Sequence, residues 1–148
     1  MKADFSGWAT KALVKCTDGR TIMPQAFVHQ DKIQVPLVWQ HDSDSPKNVL
    51  GHAVLEARPE GMYTYAFFND SEDGQRAKIL VQHKDITMLS IRAGQIVEKA
   101  KNVLHGMIQE VSLVLSGANP GARIDNVSIA HSYGDSTVLD DEVLIRSG

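Results

Sequence analysis

The chain has 148 residues, 43% apolar and 22% charged, with 18 acids against 15 bases and a formal net charge of −3. That is one domain, able to bury roughly 70% of its unfolded surface, and the composition excludes a disordered, collagenous or coiled-coil chain. No basic cluster marks a nucleic-acid binder or a polybasic membrane anchor, no apolar run approaches the ~20 residues of a membrane span, and a single cysteine, Cys16, excludes a disulfide framework or a Cys-rich zinc site. The N-terminus has no apolar signal-peptide core, so the expectation is a soluble protein of a reducing cytoplasm.

Many short strands with one or two helices are predicted. Gly7 to Val14 has strand character, and Asp18-Gly19 signals a hairpin because Asp-Gly readily adopts the left-handed turn of a two-residue loop. Pro24 closes a short strand. Val35 to His41 reads as a strand that Pro36 confines to a strand start or an edge. After the polar loop 42–47, Val49–Ala57 and Met62–Phe68 read as strands joined by a Pro-Glu-Gly turn.

Asp70 or Ser71 caps a predicted helix from Glu72 to His83, with acids in its first turn and Gly74 as its weak point. Then come strands at Ile86–Arg92, Ile96–Leu104 after a glycine turn, and Met107–Leu115. A tight loop, Ser116 to Gly121, leads to a last strand at Ala122–Ala130. The composition shifts beyond His131, so residues 1–131 read as the folded domain and 132–148 as a C-terminal tail. Strands at this spacing predict a mainly β fold, a small barrel with peripheral helices.

The familiar hydrolase, zincin, phosphate-loop and dinucleotide signatures are absent. What stands out is a set of polar residues in apolar strands. Alternation puts Leu37, Trp39 and His41 on one face, with the histidine at the strand's end; its free pKa near 6.5 suits a general base. Ser90 shares a face with Met88 and Arg92, and as a nucleophile it needs a base within hydrogen-bond reach. Glu110 opens a strand whose opposite face is wholly apolar, and such a carboxylate can accept an imidazole N–H. In the loop that follows, Gly117, Ala118 and Asn119 bring small residues and backbone N–H groups of the kind that bind an oxyanion. Taken singly, each has an ordinary reading as a hydrogen-bonded strand residue, a salt bridge from Glu110 to Arg92, or a plain turn.

Their order says more. Phe5-Ser6-Gly7-Trp8-Ala9, Asp18-Gly19-Arg20, Met23-Pro24-Gln25-Ala26-Phe27, Trp39-Gln40-His41-Asp42, Leu50-Gly51-His52-Ala53, Met88-Leu89-Ser90-Ile91 and Glu110-Val111-Ser112-Leu113-Val114 with Ala118-Asn119-Pro120-Gly121-Ala122 follow one another as in a known family. Over residues 4–130 the chain resembles the prohead maturation proteases of tailed bacteriophages, serine proteases related in fold to herpesvirus assemblin. Arg92 and Ala93 depart from the Gly and aromatic residue that often follow Leu-Ser-Ile there, and Gln25 replaces a common Gly.

The resemblance implies an assemblin-like β-barrel and a triad of Ser90, His41 and Glu110, with the loop around Gly117, Ala118 and Asn119 as oxyanion or substrate loop. Arg92 carries no motif and is read from its charge alone, as a residue for an acidic substrate group or a structural one. The resemblance implies no metal and no cofactor. The implied substrates are the scaffold segment of the major capsid protein precursor, other prohead proteins and the protease itself. The implied location is the assembling prohead in the host cytoplasm. Assemblins are activated by dimerisation, so the resemblance also allows a homodimer. Two alternatives remain at this point: a non-enzymatic module docking on capsid or scaffold, and a hydrolase with Ser112 as nucleophile.

Overall fold

The structure, a computed structural model, describes residues 2–127 and the backbone of 145–146. Its strands are β1 (Phe5–Lys11), β2 (Thr21–Ile22), β3 (Gln34–Trp39), β4 (Val49–Arg58), β5 (Gly61–Phe68), β6 (Met88–Lys99), β7 (Asn102–Val114), β8 (Ile124–Val127) and β9 (Ile145–Arg146), with one α-helix, α1 (Glu72–Gln82). The protein is mainly β, as the strand spacing predicts.

Among the described residues all nine strands belong to one mixed sheet. β7 is its central member. One edge of β7 carries β6, antiparallel along its length. The other is shared by β2 at Asn102–Val103 and by β3 at Val111–Leu113, both parallel. Antiparallel pairing then continues from β3 through β4, β5, β1 and β8 to β9. The sheet is not closed by a continuous ladder. Among the described residues, β6 instead meets the segment leading into β8 at one bridge, Met88 to Arg123, where Leu89 N–H donates to Ala122 O and Ile124 N–H donates to Thr87 O, each at 2.9 Å. Phe5, Phe27, Leu37, Leu55, Leu89 and Leu113 are buried within it, each burial stabilising the fold by roughly 1.5–3 kcal/mol.

The helix caps as its sequence predicts. Ser71 Oγ accepts from Gly74 N–H at 2.9 Å, and Glu72 and Asp73 lie in the first turn. Gly74 is no weak point, because a Cβ there would stand 2.2 Å from Asn69 Oδ1 and 2.8 Å from Asn69 O. Ala77 and Val81 are the residues it buries on the core.

Three expectations are corrected. The first strand runs from Phe5 and stops at Lys11, since Leu13 is left-handed (φ 63°). The third strand ends at Trp39, because Gln40 and His41 are both left-handed (φ 52° and 60°), so His41 lies beyond the alternation that was to place it. The three strands expected between Ile86 and Leu115 are two long ones. Their turn is Ala100-Lys101, both at positive φ, a conformation these residues rarely adopt. Gly94 and Gly106 lie inside strands; Gly106 is small because a Cβ would meet Ile96 and Phe27 at 2.9 Å. Of the expected last strand, Ile124–Val127 forms, and residues 128–130 lie outside the described residues, as does the 131/132 boundary with most of the 132–148 tail.

Candidate active site

The site is built across β6, β7 and the end of β3. Cross-strand partners point to the same side of a sheet. The register pairs Ser90 with Ser112 and Arg92 with Glu110, so these four polar side chains share one side. Leu89, Ile91, Val111 and Leu113 take the other, apolar side, which is why this stretch is anchored in the core. β3 runs along the opposite edge of β7, with Val38 beside Ser112 and Trp39 beside Leu113. Just past its end the left-handed turn at Gln40-His41 swings the histidine over β7.

The imidazole lies between two of those side chains. His41 Nδ1 is 2.8 Å from Glu110 Oε2, and His41 Nε2 is 2.9 Å from Ser90 Oγ. An ionised carboxylate only accepts, so Nδ1 carries the proton and Nε2 is left to accept the Ser90 hydroxyl hydrogen. The Glu110 side chain is 4% exposed and the His41 ring 33% exposed, which puts the acid inside the protein and the base at its surface.

Ser112 is fully buried. Its hydroxyl accepts from His41 N–H at 3.0 Å and donates to Glu110 Oε2 at 2.8 Å, using both its roles. Arg92 Nη2 donates to the His41 carbonyl at 2.5 Å, and its Nε stands 3.9 Å from Glu110 Oε1. Gln40 Oε1 accepts from Leu115 N–H at 2.8 Å.

The loop after β7 packs against β6 beside Ser90. A Cβ on Gly117 would stand 2.9 Å from Leu89 O, so only glycine allows this approach. Ala118 O accepts from Thr17 N–H at 2.8 Å. Asn119 faces inward: its side chain donates to Thr10 Oγ1 and Lys11 O and accepts from Gly121 N–H, which braces the loop. A cavity of about 130 Å³ opens between Ser90 and this loop, walled by Phe27, Ile91 and Ala93 and reaching Cys16. Burial, followed by the nearby Asp18 charge, pushes the Cys16 thiol above its ordinary pKa. Hydrogen bonds from Arg20 hold Asp18 below the usual carboxylate range.

Ser90, His41, Glu110 and Arg92 thus come together, and Gly117, Ala118 and Asn119 lie beside Ser90. Sequence reasoning missed the left-handed turn and the links from Ser112 and Arg92 to His41. Setting the alternations of the two strands side by side groups the four polar residues, but it does not reveal the turn. Among the described residues no three His, Cys, Asp or Glu side chains gather as a cation site. None of the helices there is long and apolar enough to cross a membrane.

The family described as caudovirus prohead serine protease matches residues 5–135. The chain belongs to that family. Among solved structures it is similar in fold to the KSHV protease, determined in complex with a hexapeptide phosphonate inhibitor, with a TM-score of 0.51 and 12% sequence identity. The likeness covers 81% of this chain and 62% of that one, so the chain spans less than two thirds of the KSHV protease's length. The mainly β fold is therefore assemblin-like. No curated protein matches the chain.

Proposed function

We propose that the chain is a serine endopeptidase acting through Ser90, His41 and Glu110. The observation that carries this reading is the pair of contacts on one imidazole, 2.9 Å to a serine hydroxyl and 2.8 Å to a buried carboxylate. Ser90 Oγ attacks the scissile carbonyl as His41 Nε2 takes its proton. The tetrahedral intermediate collapses as Nε2 returns that proton to the leaving amine, and water repeats the cycle on the acyl-enzyme. Glu110 holds the Nδ1–H tautomer and stabilises the imidazolium as it forms.

The loop of Gly117, Ala118 and Asn119 supplies the oxyanion site. Among the described residues the amides of Ser116, Gly117 and Ala118 make no internal hydrogen bond, so they are free to donate. Asn119 serves by bracing the loop with its side chain rather than by donating to the oxyanion itself. The neighbouring cavity receives a substrate side chain flanking the scissile bond. Ser112 is not the nucleophile in this reading, because its hydroxyl is fully buried and its hydrogen is committed to Glu110.

Family membership supports capsid proteins as the substrates. The precursor's scaffold segment, internal prohead proteins and the protease itself are the targets, and the assembling prohead in the host cell is the place of action. The likeness to assemblins, which are activated by dimerisation, supports a homodimer as a further part of this reading.

Co-expression with the precursor capsid protein of the same genome, read by intact mass, tests this. Loss of the scaffold segment with wild type but not with Ser90→Ala is expected, together with fluorophosphonate labelling at Ser90. A precursor left whole by a folded wild type that also refuses the label overturns the reading and leaves a docking module.

A further inference from the structure

We propose that Ser112 and Arg92 are positioning residues that grip His41 by its own main chain, Ser112 at the N–H and Arg92 at the carbonyl, and thereby hold the imidazole between Ser90 and Glu110. The proposal rests on the reading of those three residues as the reacting set.

Residues with a Cβ pay for left-handed φ, and two in succession at a strand end persist only where surrounding groups fix them. Gln40 has its own ties. Its N–H donates to Leu113 O at 2.9 Å and its side chain accepts from Leu115 N–H. For His41, Ser112 takes the N–H and Arg92 takes the carbonyl. Both holders come from the strands that carry the nucleophile and the acid.

Each holder also touches the acid. Ser112 donates to the same Glu110 oxygen that receives the imidazole N–H, and the Arg92 guanidinium stands near the other oxygen. One hydroxyl therefore sets the distance between the histidine's backbone and its carboxylate partner. Removing it frees both ends of the Nδ1 contact. The two holders are unequal: Ser112 is sealed from solvent, whereas the Arg92 side chain is 48% exposed and competes with water.

The test uses the full chain and the variants Ser112→Ala, Ser112→Cys, Arg92→Ala and Arg92→Lys. Three quantities are read: the inactivation and binding constants for a fluorophosphonate, the low-field proton resonance of His41 Nδ1–H, and the melting temperature. A misplaced base should cost Ser112→Ala on the order of 100-fold in the inactivation rate constant with the binding constant unchanged. Its resonance should broaden or vanish. Ser112→Cys, of similar volume but a weak donor, should fall between. Arg92→Ala should lose less than Ser112→Ala, and Arg92→Lys less again.

A folded Ser112→Ala protein that labels at the wild-type rate with its resonance intact overturns the proposal. So does a rate loss that merely tracks unfolding while Arg92→Ala labels normally. If the wild type itself does not label, the proposed function fails. The resonance, which needs no chemistry, still decides the grip: present in wild type and lost in Ser112→Ala supports it, unchanged overturns it.

Discussion

The β4–β5 and β6–β7 hairpins are built from the same kind of antiparallel pair, yet they are used differently. The β4–β5 register runs unbroken from Gly51↔Phe68 to Arg58↔Gly61, and Ala53, Leu55, Met62 and Ala66 from it are buried. The β6–β7 register slips at Arg92/Ala93 and twice more before Glu98. The polar cluster sits just on the regular side of the first slip. A buried polar group survives only if each donor and acceptor is matched. The regular pairing from Met88 to Arg92 sets Ser90 beside Ser112 and Arg92 beside Glu110, and the slip beyond frees the rest of the strand to bend away. The lesson is that a sheet's polar site needs one short stretch of strict register more than it needs a regular hairpin.

The largest effect that would sharpen this contrast lies in β7. Glu110→Gln keeps the shape but offers His41 an amide in place of a carboxylate, so the wrong tautomer is favoured. A loss of about 10⁴-fold in turnover is expected, by analogy with the equivalent change in a Ser-His-Asp protease, measured as precursor cleavage by a variant whose melting temperature stays near wild type. Full activity in this variant would break the assignment of working residues to the slipped hairpin.

The next comparison makes one substitution in both hairpins. In β4, a Cβ on Gly51 would stand 1.9 Å from Phe67 O, which is main chain and cannot yield. Gly51→Ala should cost at the top of the range of about 1–3 kcal/mol typical of overpacking. In β6, a Cβ on Gly94 would meet the Gln109 amide at 2.7 Å, the far end of an exposed side chain. Gly94→Ala should stay within about 0.5 kcal/mol of wild type. Equal costs in urea titrations would remove the distinction between a stiff hairpin and a yielding one.

The smallest effect is a pH displacement at Cys16, on the wall of the cavity beside β6. Burial favours its neutral thiol in the folded state. Iodoacetamide should therefore alkylate the native protein along a profile displaced to higher pH than that of the urea-unfolded chain. The linked stability is fully present below the unfolded thiol's pKa and is lost as pH rises through the folded one. Coincident profiles would mean that the cavity is open to solvent at its Cys16 end.

Much of the fold was legible, and for identifiable reasons. The Ser71 cap with Glu72 and Asp73 marked the helix within one residue of its end at Gln82. Pro36 reads as a strand-start or edge residue, and it is the third residue of β3, on the stretch that is still an edge before β7 joins at Leu37. The β6–β7 turn was not legible. Ala100-Lys101 lacks the Asn-Gly or Asp-Gly chemistry that announces such a turn, while Gly94 announced one that does not exist. At Gly106 the glycine serves close packing, which depends on neighbours distant in the chain.

The mainly β class, the capped helix, the apolar sides of the strands and the order of motifs that resembles one family can all be read from the residues alone, because periodicity, capping and turn chemistry are local. That Ser90 and Glu110 lie on opposite sides of one imidazole, that Ser112 bridges His41 to Glu110, and that β6 meets the segment before β8 all come from long-range packing. The physical reason is register. Strand alternation says which side a residue faces, but a shift of two residues along β7 leaves every side unchanged while moving each partner by roughly 7 Å, far beyond a hydrogen bond. Packing of the apolar side selects the register. The same choice fixes the left-handed turn at His41, which no local preference of Gln40 or His41 would have foretold.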